Sequence, residues 1–245
     1  MSHAVVSREE WLDARRALLI KEKAHTRARD ALNAERMALP WVKLDKTYVF
    51  DTEAGRKSLD DLFDGRGQLL VYHFMLGPDW DAGCEGCSFM ADHFDGTLPH
   101  LNHHDVTLVA VSRAPLAKIQ AYKLRMGWKF PWVSSHGGDF NRDFHVSFTP
   151  EELAGETINY NFTDLPSAQG HDELPGLSVF YRDADGQVFH TYSTYARGFE
   201  EGLGTLMLLD RAPLGRNEGE TMNFIRRHDE YEDVQPKSAC CAGAA

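Results

Sequence analysis

Cys84 and Cys87, separated by Glu85-Gly86, are the residues of this chain whose type and spacing point most directly to chemistry. They follow a strand-like apolar run, Leu69 to Met75, and open a helix-like run, Ser88 to Phe94. At such a junction the first thiol meets the unpaired N–H groups of a helix start, which favour the thiolate. The second thiol lies one turn on, within reach of a small disulfide ring. The chemistry this suits is thiol–disulfide exchange: Cys84, the more exposed, attacks, and Cys87 resolves the mixed disulfide. Asp79, Asp81 and Glu85 oppose it, since nearby negative charge raises a thiol pKa. The same spacing also serves ordinary buried cysteines or half of a zinc site.

For zinc, His93, His100, His103 and His104 follow the cysteines, and Cys240-Cys241 could complete a set. Adjacent cysteines chelate poorly, however, and the histidines read better as a solvated helix end, so no metal and no cofactor is expected. His93, nine residues after Cys84 on the expected helix, is too far along to touch it. Cys240 and Cys241 read as carried by an uncommitted tail rather than as a second resolving pair. Trp80 sits in a Gly/Pro/Asp loop beside the cysteines and is expected to form a lip over the thiol. Arg113 and Arg197 follow strand-like segments. Either could reach the strand ends where open α/β sheets place ligands, although a surface ion pair is the plainer role. Arg113 is the candidate substrate contact of the two.

The elements that must hold these residues are legible in outline. Residues 7 to 38 read as one charged helix, opened by a Ser7/Glu10 capping box and ended by Pro40, with Trp11, Leu18 and Leu19 on an apolar side. A hairpin-like stretch follows, with Tyr48 to Phe50 a short strand, Asp51 to Arg56 a turn containing Gly55, and Ser58 to Phe63 a short helix. Val106 to Ser112 is a continuous apolar strand, the kind found inside a parallel sheet, and a helix from Pro115 to Met126 follows. Pro131 to Ser134 is another short strand, and 134 to 175 reads as irregular. Leu177 to Tyr181 and Gln187 to Tyr192 flank Asp183-Ala184-Asp185-Gly186, a hairpin signal. Residues 199–210 and 221–231 read as helices. The organisation is a helical extension over 1–40, an α/β domain over 41–232 and a disordered tail over 233–245.

The chain has 245 residues, 42% of them apolar, which is ample for a core. With 26 Lys and Arg against 37 Asp and Glu, the net charge is -11, which argues against nucleic acid or an anionic membrane as partner. No apolar run approaches the roughly 20 residues needed to span a bilayer. The start lacks a basic region followed by an apolar stretch, so a cytoplasmic location is expected. The apolar side of the first helix needs cover, hence the expectation of a homodimer.

The order of elements resembles the thioredoxin-like superfamily in a peroxiredoxin-style layout. More closely, the chain resembles a bacterial family catalogued as domain of unknown function 899, DUF899. That family is described as thioredoxin-like and as a predicted dithiol-disulfide oxidoreductase. The motifs that carry the resemblance are Tyr72 to Trp80, the cysteine pair, Val111 to Leu116, Arg125 to Trp128 and Thr191 to Gly198. The resemblance implies an α/β/α fold of three layers with a mixed central sheet. It also implies a dithiol-disulfide oxidoreductase, without naming its substrate; a disulfide-containing protein or a small-molecule thiol is the partner expected of such chemistry. In thioredoxins a cis-proline precedes the strand beside the dithiol and its neighbouring backbone helps bind substrate; Pro175 stands at that place here. Peroxiredoxins carry an arginine there, and a Thr or Ser three residues before the reactive cysteine, where this chain has Asp81. Peroxide reduction, or a non-enzymatic scaffold binding a partner or metal, are the competing expectations.

Overall fold

Val106–Ser112 (β5) is buried along almost its whole length, as a strand with neighbours on both edges and both faces must be. The computed structural model, which describes residues 3–167 and 172–231, places it near the middle of an eight-stranded mixed sheet. Gln68–His73 (β4) runs parallel to β5, and Trp132–Ser134 (β6) runs parallel to it on the other side. Gly176–Arg182 (β9) and Val188–Tyr195 (β10) form the expected hairpin, and β9 pairs antiparallel with β4. Val42–Lys43 (β1) closes one edge against β10. Val49–Thr52 (β2) and Gly55–Ser58 (β3) close the other through β6.

The alternation of β4 sorts its side chains to two faces. Leu69 and Val71 join Val109, Val111 and Phe180 in a cluster covered by the 3-10 turn Asp61–Phe63 and by Phe140–Asp143 (α5). Tyr72 belongs to a larger cluster on the opposite face. That face is covered by Glu85–Ala91 (α2), Leu116–Arg125 (α4) and Gly204–Leu209 (α7). Helix, sheet and helix thus form three layers, and the first helix after β4 opens at the cysteines. This is the thioredoxin-like architecture that the resemblance implies.

Four expectations are corrected. The helix after the cysteines is shorter than expected, and Leu98–His103 (α3) forms beyond it, with Pro99 in its first turn. The hairpin after Tyr48 forms, with β3 as its second strand, but the short helix expected over Ser58 to Phe63 is only the 3-10 turn Asp61–Phe63. Within 134–175 lie α5, Pro150–Ala154 (α6) and a separate hairpin, Thr157–Tyr160 (β7) with Thr163–Pro166 (β8). Finally, 221–231 is not a helix: Met222 takes φ 64°, which ends any helical run, and only His228–Glu230 makes a 3-10 turn.

The first 41 residues form a compact unit of their own, as do Val42 onward. The first contains a single helix, Arg8–Met37 (α1), whose capping box is as expected: Ser7 accepts from the Glu10 amide, and Glu10 accepts from the Ser7 amide at 2.9 Å. Trp11, Leu18 and Leu19 are exposed. Among the described residues no helix is long and apolar enough to cross a membrane.

Candidate active site

The strand that carries Tyr72 ends by folding its own chain back over the cysteines. Cys84 N–H donates to the Met75 carbonyl at 3.1 Å, and the Met75 amide donates to the Cys87 sulfur at 3.5 Å. Lys118 of α4 secures the intervening loop by donating to the carbonyls of Pro78 and Trp80 at 2.6 and 2.9 Å. Gly83 lies against the rings of Phe74 and Tyr122, where a Cβ would meet ring carbons at 2.6 and 2.8 Å, so the residue before Cys84 has no room for a side chain. Arg227 grips the same residue from the far end of the chain, donating twice to the Gly83 carbonyl at 3.0 and 2.8 Å.

Cys84 is the N-cap residue of α2, with extended backbone (φ -54°, ψ 137°), and is partly exposed. Cys87, within the first turn, is 2% exposed. Cys84 and Cys87 are free cysteines 4.0 Å apart, and joining them requires the sulfurs to approach to about 2.05 Å. Burial pushes the Cys87 thiol pKa well up, and the nearby Cys84 sulfur adds to the shift. Two donors oppose it, the Tyr72 hydroxyl and the Met75 amide. Tyr72 is itself buried, and its phenol is held in the neutral, donating form chiefly by that burial.

α2 is fixed along its length. Ser88 Oγ donates to the Cys84 carbonyl at 2.8 Å and shares a hydrogen bond with Tyr122. Asp92 accepts from Trp128 Nε1 at 2.8 Å and bonds His228 at 2.6 Å. His93 bonds the Phe89 carbonyl through Nδ1, so that nitrogen carries the proton, and Nε2 accepts from the Thr205 amide at 3.1 Å. His93 therefore ties α2 to α7. Among the described residues no group of three or more His, Cys, Asp and Glu is placed to hold a metal ion. Cys240 and Cys241 lie outside the described residues.

Cys84 and Cys87 open onto a cavity of about 220 Å³. Pro175 and Gly176 at the start of β9, together with Thr194 to Arg197 at the end of β10, form its opposite wall. Pro175 thus lines the cavity across from the cysteines, and no peptide bond is cis among the described residues, unlike the cis-proline of thioredoxins. The Tyr160 hydroxyl donates to the Pro175 carbonyl at 2.6 Å and accepts from the Ala196 amide at 2.9 Å, so the β7–β8 hairpin fixes two wall segments at once. Ala196 holds φ 46° there, a left-handed conformation rare for a residue with a Cβ.

Trp80 and Arg113 are not brought to this cavity. The Trp80 ring lies over Gly77, where a Cβ would be 2.9 Å from it, and does not line the cavity. Arg113 turns to the acidic pair before β9, donating to Glu173 at 2.9 Å and to Asp172. This is the ion-pair role, drawn inward by a carboxylate that is 1% exposed. Burial raises the Glu173 pKa to about 7, against the pull of Arg113. Arg197, the other arginine, lines the cavity and is paired with Glu200.

Tyr72, Tyr160 and Arg227 escape a reading of the sequence. The Tyr72 position is recoverable in part, since period-2 alternation puts it on the helix-covered face with the dithiol. Replacing it with phenylalanine removes a donor that would stabilise Cys87 as it becomes a thiolate. Tyr72→Phe is expected to slow the closing of a Cys84 mixed disulfide by about 2- to 12-fold, the value of one hydrogen bond, measured by quenched-flow mass spectrometry.

No curated protein matches the chain. Among solved structures it is similar to peroxidoxin BcpB from Mycobacterium tuberculosis, at 16% identity over 68% of this chain and 97% of that one, TM-score 0.41. It is also similar to PrxQ from Xylella fastidiosa, at 14% identity over 69% and 94%, TM-score 0.43. The bacterioferritin comigratory protein of Xanthomonas campestris follows at 15% identity over 68% and 94%, TM-score 0.42. Likeness at this level carries no activity across. The match to a family model is far more extensive, running over residues 1–231, and the chain belongs to the family it describes, bacterial proteins of unknown function DUF899.

Proposed function

We propose that the chain is a dithiol–disulfide oxidoreductase in which Cys84 attacks and Cys87 resolves. The observation that carries this reading is the pair itself: two free cysteines 4.0 Å apart, one partly exposed at a cavity and the other buried behind it. In the forward direction the Cys84 thiolate attacks one sulfur of a substrate disulfide. A bond forms from Cys84 to that sulfur, and the other arm leaves as a thiolate and takes a proton from solvent. Cys87 then gives up its proton and attacks the Cys84 sulfur, releasing the second arm. Two electrons pass from the dithiol to the substrate, and the products are two thiols and a Cys84–Cys87 disulfide. The raised pKa of Cys87 supports this division of labour, because a thiol that stays protonated does not compete for the first attack.

The test is to trap the intermediate. Reduced Cys87→Ser, treated with hydroxyethyl disulfide, is expected to keep one arm on Cys84, seen as a mass increase on the peptide that contains it. The wild-type chain should release both arms and keep none. A Cys87→Ser chain that releases both arms as the wild type does would contradict the proposal. Hydrogen peroxide consumed through Cys84 faster than any disulfide would favour a thiol peroxidase instead.

A further inference from the structure

The cavity in front of the thiols is built from the wrong materials for a charged substrate. Its walls are Tyr72, Met90, Tyr195, Phe199, Leu203 and Met222, and the first three of these and Leu203 are each under a tenth exposed. Among the described residues its two charged ones, Arg197 and Glu200, are bonded to each other at 2.8 Å, and Glu200 also accepts from Arg216 at 2.7 Å. Those charges are spent on one another. An ionised arm entering here would lose water and meet, among the described residues, only charges that are already paired, which disfavours it. An apolar arm loses nothing comparable and gains by leaving water.

Size narrows the class further. An apolar cavity of about 150 Å³ accommodates benzene. At about 220 Å³ this one has room for roughly one and a half such rings. The walls are also set by the scaffold, since Leu203 is in the core cluster and the Pro175 and Ala196 segments are tied through Tyr160. Such a pre-formed space selects by shape as well as by polarity.

We infer that the substrate is a low-molecular-weight disulfide with short uncharged apolar arms, one of which fills this cavity while its sulfur meets Cys84. The inference rests on the oxidoreductase reading above and adds the substrate class to it. The electron and proton balance is that already given: one substrate disulfide and the reduced dithiol yield two apolar thiols and the Cys84–Cys87 disulfide. A single turnover needs no further reductant.

The experiment is a single-turnover series with the reduced full-length chain. Symmetrical dialkyl disulfides from methyl to butyl are compared with glutathione disulfide and with native, disulfide-bonded insulin. Each rate is divided by that of the same disulfide with a free small thiol, which removes intrinsic reactivity. The expected result is a rise of about two- to fourfold for each methylene added to an arm, ending when the cavity is full, with glutathione disulfide and insulin at least tenfold below butyl disulfide. Phe199→Ser and Met222→Glu each change a partly buried wall residue, and whichever variant keeps the wild-type circular dichroism is expected to flatten the rise. A flat series, a lead for glutathione disulfide or insulin, or folded wall variants with an unaltered rise would overturn the inference. If in those cases the Cys84–Cys87 disulfide still forms, the oxidoreductase reading stands without it. If that disulfide forms with none of the substrates, the oxidoreductase reading itself fails.

Discussion

Cys84→Ser is expected to lower single-turnover disulfide reduction on the order of a thousandfold or more, because it removes the sulfur that makes and breaks every bond in the reaction. A hydroxyl in its place is far too weakly acidic to supply an anion at neutral pH. Cys87 cannot take over, being 2% exposed, held by Tyr72 and Met75, and pushed by burial toward the protonated form. Stopped-flow measurement of thiol release from the reduced variant checks this. Unchanged release would mean that the exchange runs through another cysteine. Stability should change little, since the Cys84 backbone makes its hydrogen bonds through N–H and C=O, which serine retains.

The second large effect is on stability rather than activity, and it comes from Glu173. This carboxyl is buried, takes one hydrogen bond from Arg113, and leaves its Oε1 without a partner. Its folded pKa of about 7 lies above the ordinary carboxyl value of 4.5. Between those two pH values the folded chain holds a proton that the unfolded chain has released. The contribution is therefore fully present below pH 4.5 and is lost as pH rises through about 7, a change of about 3 kcal/mol. His73 works in the opposite direction: burial lowers its folded pKa to about 3, so its contribution to stability is lost as pH falls below its ordinary 6.5. The two partly cancel in the wild type, and the informative quantity is a difference between chains. Wild-type stability minus that of Glu173→Gln, from urea unfolding at pH 4.5, 6 and 8, is expected to fall by about 3 kcal/mol across the series. A difference independent of pH would show that Glu173 stays ionised throughout, bonded to Arg113.

Much of the site was legible because its signals are local. The cysteine spacing, the apolar runs that became β4 and β5, and the Asp183 to Gly186 turn each declare their structure within a few residues. The β7–β8 hairpin did not, because its turn is Asn161-Phe162, with φ 54° and 60°. A phenylalanine in the left-handed region defies the usual turn chemistry, so nothing marks the hairpin that brings Tyr160 to Pro175 and Ala196. The segment after Thr221 looked helical by composition, yet Met222 breaks it and leaves Arg227 free to reach Gly83, 144 positions away in sequence. That contact is long-range, as is the Arg113–Glu173 pair, which took up the arginine expected at the substrate. Pattern and propensity are blind to partners of this kind.

The most direct test of the dithiol is a redox titration of the intact wild-type chain, with peptide mapping of all four cysteines at each potential. The first two-electron oxidation is expected to join Cys84 to Cys87 while Cys240 and Cys241 remain thiols. A first oxidation that joins Cys84 to Cys240 or Cys241, with Cys87 still reduced, would contradict it.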